Sequence, residues 1–162
     1  MGNQVLRRTA LALFTICLLS LPALGNSGGP PYLNGDGNPT AEYGCSCHNN
    51  GQISDRAVVM VTGVPIQYAT SEIYDFTIQV ADSHTLAGDD GNTQAGFVIT
   101  SGDVGTFTWQ DDQELRIAED SQGDVSHSET SDTGIWSLRW QAPAADEGDI
   151  HFWVAGNSVN GD

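Results

Sequence analysis

The chain has 162 residues, with 21 Asp and Glu against 5 Arg and no Lys, and a formal net charge of −16. That balance excludes nucleic acid and anionic lipid surfaces as partners, since both are recognised through cationic side chains; it leaves divalent cations open as partners and suits a well-hydrated surface in a salty medium. With 3 cysteines in all, a disulfide-rich scaffold is excluded too, so the fold must rest mainly on apolar burial.

Residues 1–25 read as a secretory signal. Arg7 and Arg8 supply a basic start, an uncharged apolar run follows, and Ala23-Leu24-Gly25 offers small residues at the two positions a signal peptidase reads. The run is about a dozen residues long, short of the ~20 needed to span a bilayer. Cleavage before Asn26 is expected, removing Cys17, Arg7 and Arg8 and leaving Arg56, Arg116 and Arg139 as the only basic side chains. The mature protein is expected to be secreted or held at the cell surface.

Residues 26–56 form a lead-in, rich in Gly, Pro and Asn and reading as extended chain up to Tyr43. It carries Gly44-Cys45-Ser46-Cys47-His48, followed by the turn signal Asn49-Asn50-Gly51. Two thiols and an imidazole this close together can attach haem, bind a transition metal such as copper or zinc, or close a local disulfide. In extended chain, positions two apart lie about 6.5 to 7 Å from one another, at the upper edge of disulfide geometry. A Cys45–Cys47 bridge would need a bent backbone and would be easily reduced.

Residues 57–162 read as one β-domain. Strands are expected over residues 57–62, 73–80, 95–100, 104–109, 114–118, 135–141 and 150–155. Ser101-Gly102-Asp103 predicts a tight hairpin between two of them. The longest interior loop candidate, residues 82–94, holds Asp89, Asp90 and Asn92 as oxygen donors for calcium, but no Glu closes an EF-hand pattern. In residues 135–141, Trp136, Leu138 and Trp140 share one face, which makes the two indoles core residues. Nothing beyond the signal reads as helix. The pattern predicts an all-β, immunoglobulin-like antiparallel sandwich in which each sheet has one dry and one wet face. His84 and His151 read as solvent-facing. No nucleophile elbow or zinc-protease motif is present, and a non-catalytic module is expected.

Pieces in this order resemble the prokaryotic reelin-type (reeler) domain, also called the choice-of-anchor V domain. They are Cys45-Ser46-Cys47-His48, Tyr74, Gly96-Phe97, Gly105-Thr106-Phe107, His127-Ser128, the run from Trp136 to Pro143, and the run from Gly156 to Asp162. The resemblance implies an exported β-sandwich tethered by a C-terminal anchor. It also implies that a last strand and that anchor follow Asp162, and that the membrane is met only through them. It further implies a c-type haem, with Cys45 and Cys47 as attachment points, His48 as axial ligand and His127 as the ligand opposite. Here the spacing is Cys-x-Cys-His where the family usually has Cys-x-x-Cys-His. Two functions stand at this stage: a surface module with a haem- or metal-binding redox cluster, and a structural or adhesive module, with an extracellular protein or polysaccharide partner, whose two cysteines form a local disulfide.

Overall fold

The computed structural model describes residues 29–30, 32–33, 38–44, 57–82 and 94–159. Among the described residues eight strands follow one another: β1 (Ala57–Thr62), β2 (Ile73–Asp82), β3 (Gln94–Thr100), β4 (Thr106–Thr108), β5 (Leu115–Ile117), β6 (Val125–His127), β7 (Ile135–Gln141) and β8 (Trp153–Val159). They form two four-stranded sheets, ordered β1-β2-β7-β4 and β5-β6-β3-β8, with antiparallel pairing throughout. The expected antiparallel sandwich is therefore what the chain forms.

The core lies between the sheets. Strand β7 alternates strictly, exposing Ile135, Ser137, Arg139 and Gln141 and burying Trp136, Leu138 and Trp140. Its partner β2 buries Phe76, Ile78 and Val80 in the same phase, because Phe76 stands opposite Leu138 and Ile78 opposite Trp136. From the other sheet come Ala95, Phe97, Ile99, Leu115 and Val125. Phe97 and Trp136 meet across the layer with ring centroids 4.7 Å apart. A period of two on a half-buried strand thus becomes one continuous apolar layer.

Three expectations need correcting. The turn at Ser101-Gly102-Asp103 forms, but it does not close a hairpin: β3 and β4 belong to opposite sheets. The indole of Trp140 is the physical reason. Its Nε1–H donates to the Val104 carbonyl at 3.0 Å, and Gly105 lies so close to the ring that a Cβ there would overlap it. The chain is thereby drawn across to pair β4 with β7 instead of returning along β3. The second sheet also lacks a wet face along β3, which is buried from Ala95 to Thr100. Third, one turn of helix, α1 (Thr40–Tyr43), stands in the lead-in, with a 3-10 turn at Asp111–Gln113. Four residues are too few to show helical periodicity.

Trp136→Ala removes a ring that is 2% exposed and packed on Phe97. We expect a loss of about 3 to 5 kcal/mol in a denaturant titration. A loss below about 1 kcal/mol would contradict the packing described.

Candidate functional site

The outer side of β3 is dry where the described part of the lead-in lies across it. Ala41 of α1 packs with Val98 of β3 and Ala118, and Ala155 of β8 borders the group. The segment is tied down by backbone bonds. Tyr32 N–H donates to the Glu119 carbonyl at 3.0 Å, and Thr40 N–H to the Tyr32 carbonyl at 2.8 Å. The Arg116 guanidinium reaches the Gly29 carbonyl at 3.1 Å. Gly29 has φ +95, and a Cβ there would run into the Ser126 hydroxyl and the His127 carbonyl, so only glycine fits this approach. At the far end Gly44, φ +78, closes α1 by donating its N–H to the Thr40 carbonyl at 2.8 Å.

Cys45, Cys47 and His48 lie outside the described residues, as do the signal segment, His84 and the residues Asp89, Asp90 and Asn92. Gly44 is the last described residue before the cluster. Thr40 and Ala41, at 1% and 3% exposure, fix the base from which the cysteines follow.

His127 is described, and it is buried at the end of β6. Its Nδ1 lies 2.9 Å from both the backbone nitrogen and the carbonyl oxygen of Phe97. On β3 the edge that faces β6 alternates in partners. Ile99 and Val98 pair with Val125 and Ser126, Phe97 meets the imidazole, and Ala95 pairs with Ser131. The ring therefore continues the ladder where the β6 backbone leaves it. Gly96 makes this space, since a Cβ there would overlap the imidazole; a glycine inside a strand marks such a close approach.

One ring nitrogen cannot serve both backbone groups at once. A buried N–H without an acceptor is rarer and costlier than a carbonyl with a spare lone pair. The neutral ring accordingly accepts from Phe97 N–H at Nδ1 and carries its proton on Nε2, a tautomer assigned on this argument. Burial pushes the imidazole below its ordinary value of 6.5; the Phe97 carbonyl opposes that shift and the Arg116 charge adds to it. At neutral pH the residue is uncharged.

His151 is exposed, beside Trp153, with ring centroids 5.6 Å apart. Among the described residues no three His, Cys, Asp or Glu side chains gather as a metal-binding group. Two surface clefts lie away from His127. One, of about 300 Å3, is lined by Asp75, Trp109, Gln113 and Arg139 among others. The other, of about 590 Å3, is lined by Ile66, Tyr68, Asp146, His151 and Phe152 among others. Reading the sequence missed β6, the docking of the lead-in, and the dependence of His127 on Gly96. The one available signal was Gly96 within an otherwise apolar strand.

Because the folded-state imidazole is held below the unfolded value of 6.5, the unfolded chain takes up the proton first. The contribution of His127 is full above pH 6.5 and is lost as pH falls from there towards the folded value. We expect the urea midpoint of the wild type to fall further between pH 7.5 and pH 5 than that of His127→Gln; equal falls would contradict this. Gly96→Ala should cost about 1 to 3 kcal/mol at neutral pH, because the imidazole must move.

No family model matches the chain, and no curated protein matches it. Solved structures of reeler domains are similar to it. One is the Reelin-N domain of F-spondin, at 20% identity over 61% of this chain and 70% of that one, with a TM-score of 0.46. Two are structures of the human F-spondin reeler domain. The first stands at 21% identity over 61% and 73%, TM-score 0.45; the second at 19% over 61% and 76%, TM-score 0.46.

Proposed function

We propose that this chain is an exported, non-catalytic β-sandwich module whose body serves as a rigid base for the Cys45-Ser46-Cys47-His48 cluster. The observation that carries this reading is the docked lead-in. The segment before the cysteines is fixed by buried Thr40 and Ala41 and closed by Gly44. A tip that follows directly from an anchored residue loses less freedom on binding than one at the end of a loose tail.

The donor set of the tip fits a soft or borderline centre: two thiols and an imidazole suit haem attachment, copper or zinc. His127 fits that role poorly. A ligand nitrogen would have to be Nε2 in its deprotonated form, with the proton moved to Nδ1 and given to the Phe97 carbonyl. That exchange strands the buried Phe97 N–H. In our reading His127 completes the sheet, and Cys45, Cys47 and His48 are the ligands. One-electron transfer is the chemistry that a haem or copper bound there would supply. The protein's part is to anchor the chain up to Gly44, from which the donors follow in sequence.

A structural or adhesive role, with Cys45 and Cys47 bridged, is the second reading. The exposed apolar side chains of β1, Val58 at 50% and Met60 at 48%, favour it. They lie on an edge strand, where an extracellular partner would find both apolar surface and free backbone groups.

Intact mass and metal analysis of protein exported from a host competent in haem attachment decide between the two. We expect a covalent haem mass with a pyridine haemochrome spectrum, or one tightly held metal equivalent. Either should be lost in Cys47→Ser. A mass lower by a pair of hydrogens, with neither haem nor metal, would sink the cluster reading and leave the structural one.

A further inference from the structure

At the end of the sandwich where β3 runs out and β6 begins, two turns face one another. One is the turn through Ser101 and Gly102 to Val104, the other the turn from Ala118 to Asp124. Asp124 sits at the inner end of the second, 2% exposed. Its backbone is fixed: the carbonyl accepts from Ala118 N–H at 2.8 Å and from the Ser121 hydroxyl at 3.4 Å. Its carboxylate oxygen Oδ2 is fully buried with no hydrogen-bond partner.

A second acid lies close by. Asp103 is exposed on the first turn, and its Oδ1 would be 3.8 Å from a Cβ placed on Gly123, the residue before Asp124. Burial raises the Asp124 pKa, the Thr100 hydrogen bond opposes the rise, and the Asp103 charge adds to it. A buried carboxylate oxygen with no donor, beside a second negative charge, is costly. Protonation would relieve the charge, but the new O–H would in turn need an acceptor. A cation does both: it bonds the orphaned oxygen and cancels the repulsion between the two carboxylates.

We propose that this end of the sandwich is a calcium site, with Asp124 and Asp103 as its charged ligands. The ion fits the chemistry. Calcium takes carboxylates, hydroxyls, backbone carbonyls and water in irregular geometry, whereas magnesium demands a near-ideal octahedron. Gly102 and Asp103 are exposed, so the Asp103 side of the site opens to solvent. A domain that carries a net charge of −16 draws divalent cations to its surface in any case. What distinguishes this position is a buried oxygen that lacks a partner without one.

Terbium, a luminescent substitute for calcium, tests it, because Trp153 can act as antenna: its ring would be 3.6 Å from a Cβ on Gly102. We expect saturable terbium emission excited through tryptophan, displaced by calcium and not by equimolar magnesium. Calcium should also raise the thermal midpoint of the wild type above its value in chelator, as binding to the folded state alone requires. Asp103 has φ +65, a conformation asparagine tolerates, so Asp103→Asn keeps the turn. It should weaken binding about tenfold, since one ligand charge is lost, and Asp124→Asn should abolish it. Asp75→Asn, on the opposite sheet, should bind as the wild type does. Should Asp124→Asn fail to fold, Asp103→Asn against Asp75→Asn gives the answer alone. An unchanged wild-type midpoint in calcium would overturn the proposal. So would equal affinities for Asp103→Asn and wild type, or an equal loss in Asp75→Asn, the mark of diffuse attraction to an acidic surface.

Discussion

The architecture turns on the indole of Trp140. It is 1% exposed and touches aromatic rings from three directions: Tyr74 and Phe76 on its own sheet, Tyr68 from the β1–β2 connection, and Phe152 from the approach to β8. Edge-on contacts at 83° and 85° put ring hydrogens on the faces of their neighbours, the arrangement that the aromatic quadrupole favours. Its one polar atom is satisfied by the Val104 carbonyl, which also accepts from the Ser101 hydroxyl at 2.7 Å. A single side chain therefore seals one end of the core and fixes where the polypeptide passes between sheets. Without that bond the Nε1–H would be buried and unpaired, and the crossing would lose its anchor.

The second sheet follows a different logic. It is short on regular backbone: β5 and β6 have three residues each, and only two residue pairs join β3 to β6. Two non-strand groups make good the deficit. The His127 ring takes the place of a peptide opposite Phe97, and the lead-in covers the outer face of β3. Both depend on glycine at a close approach, Gly96 under the imidazole and Gly29 beside Ser126. The sheet that carries the lead-in is thus the one whose completion relies on it, so the base of the cysteine cluster and the stability of the sandwich are one problem rather than two.

What could be read in advance follows the range of the interactions. The strands β1, β2, β3 and β7 were legible because alternation or an apolar run is a local pattern. Core positions for Trp136 and Trp140 followed from it, and both are buried. Strand β8 was placed early: Ile150 and Phe152 pack on the core from irregular chain before pairing begins at Trp153. Their apolar character reported burial, not backbone conformation. Strand β6 was invisible, since Val-Ser-His has no strand signature and its end is defined by a side chain bonding a distant strand. The turn at Ser101-Gly102-Asp103 was legible as a turn, but its destination was set by Trp140, 36 residues on from Val104. The cysteine cluster was legible as a donor set and no further, because what it binds is a matter of three-dimensional arrangement.

Charge plays almost no part in holding the body together. Arg139 pairs with Asp75 at 2.9 Å, but both side chains are mostly exposed, 56% and 83%, so water screens the pair and its net contribution is small. With so few basic residues, most carboxylates can only be left in water, and most of the described ones are: the loops between strands are acidic and open. Self-repulsion among them is then a surface term that dissolved salt weakens. Asp124 departs from this rule. It is the one Asp or Glu side chain among the described residues that is buried, and the acids around it offer no compensation. A buried carboxyl in that setting is relieved only by taking up a proton or by a positive partner, and the proposed cation is such a partner.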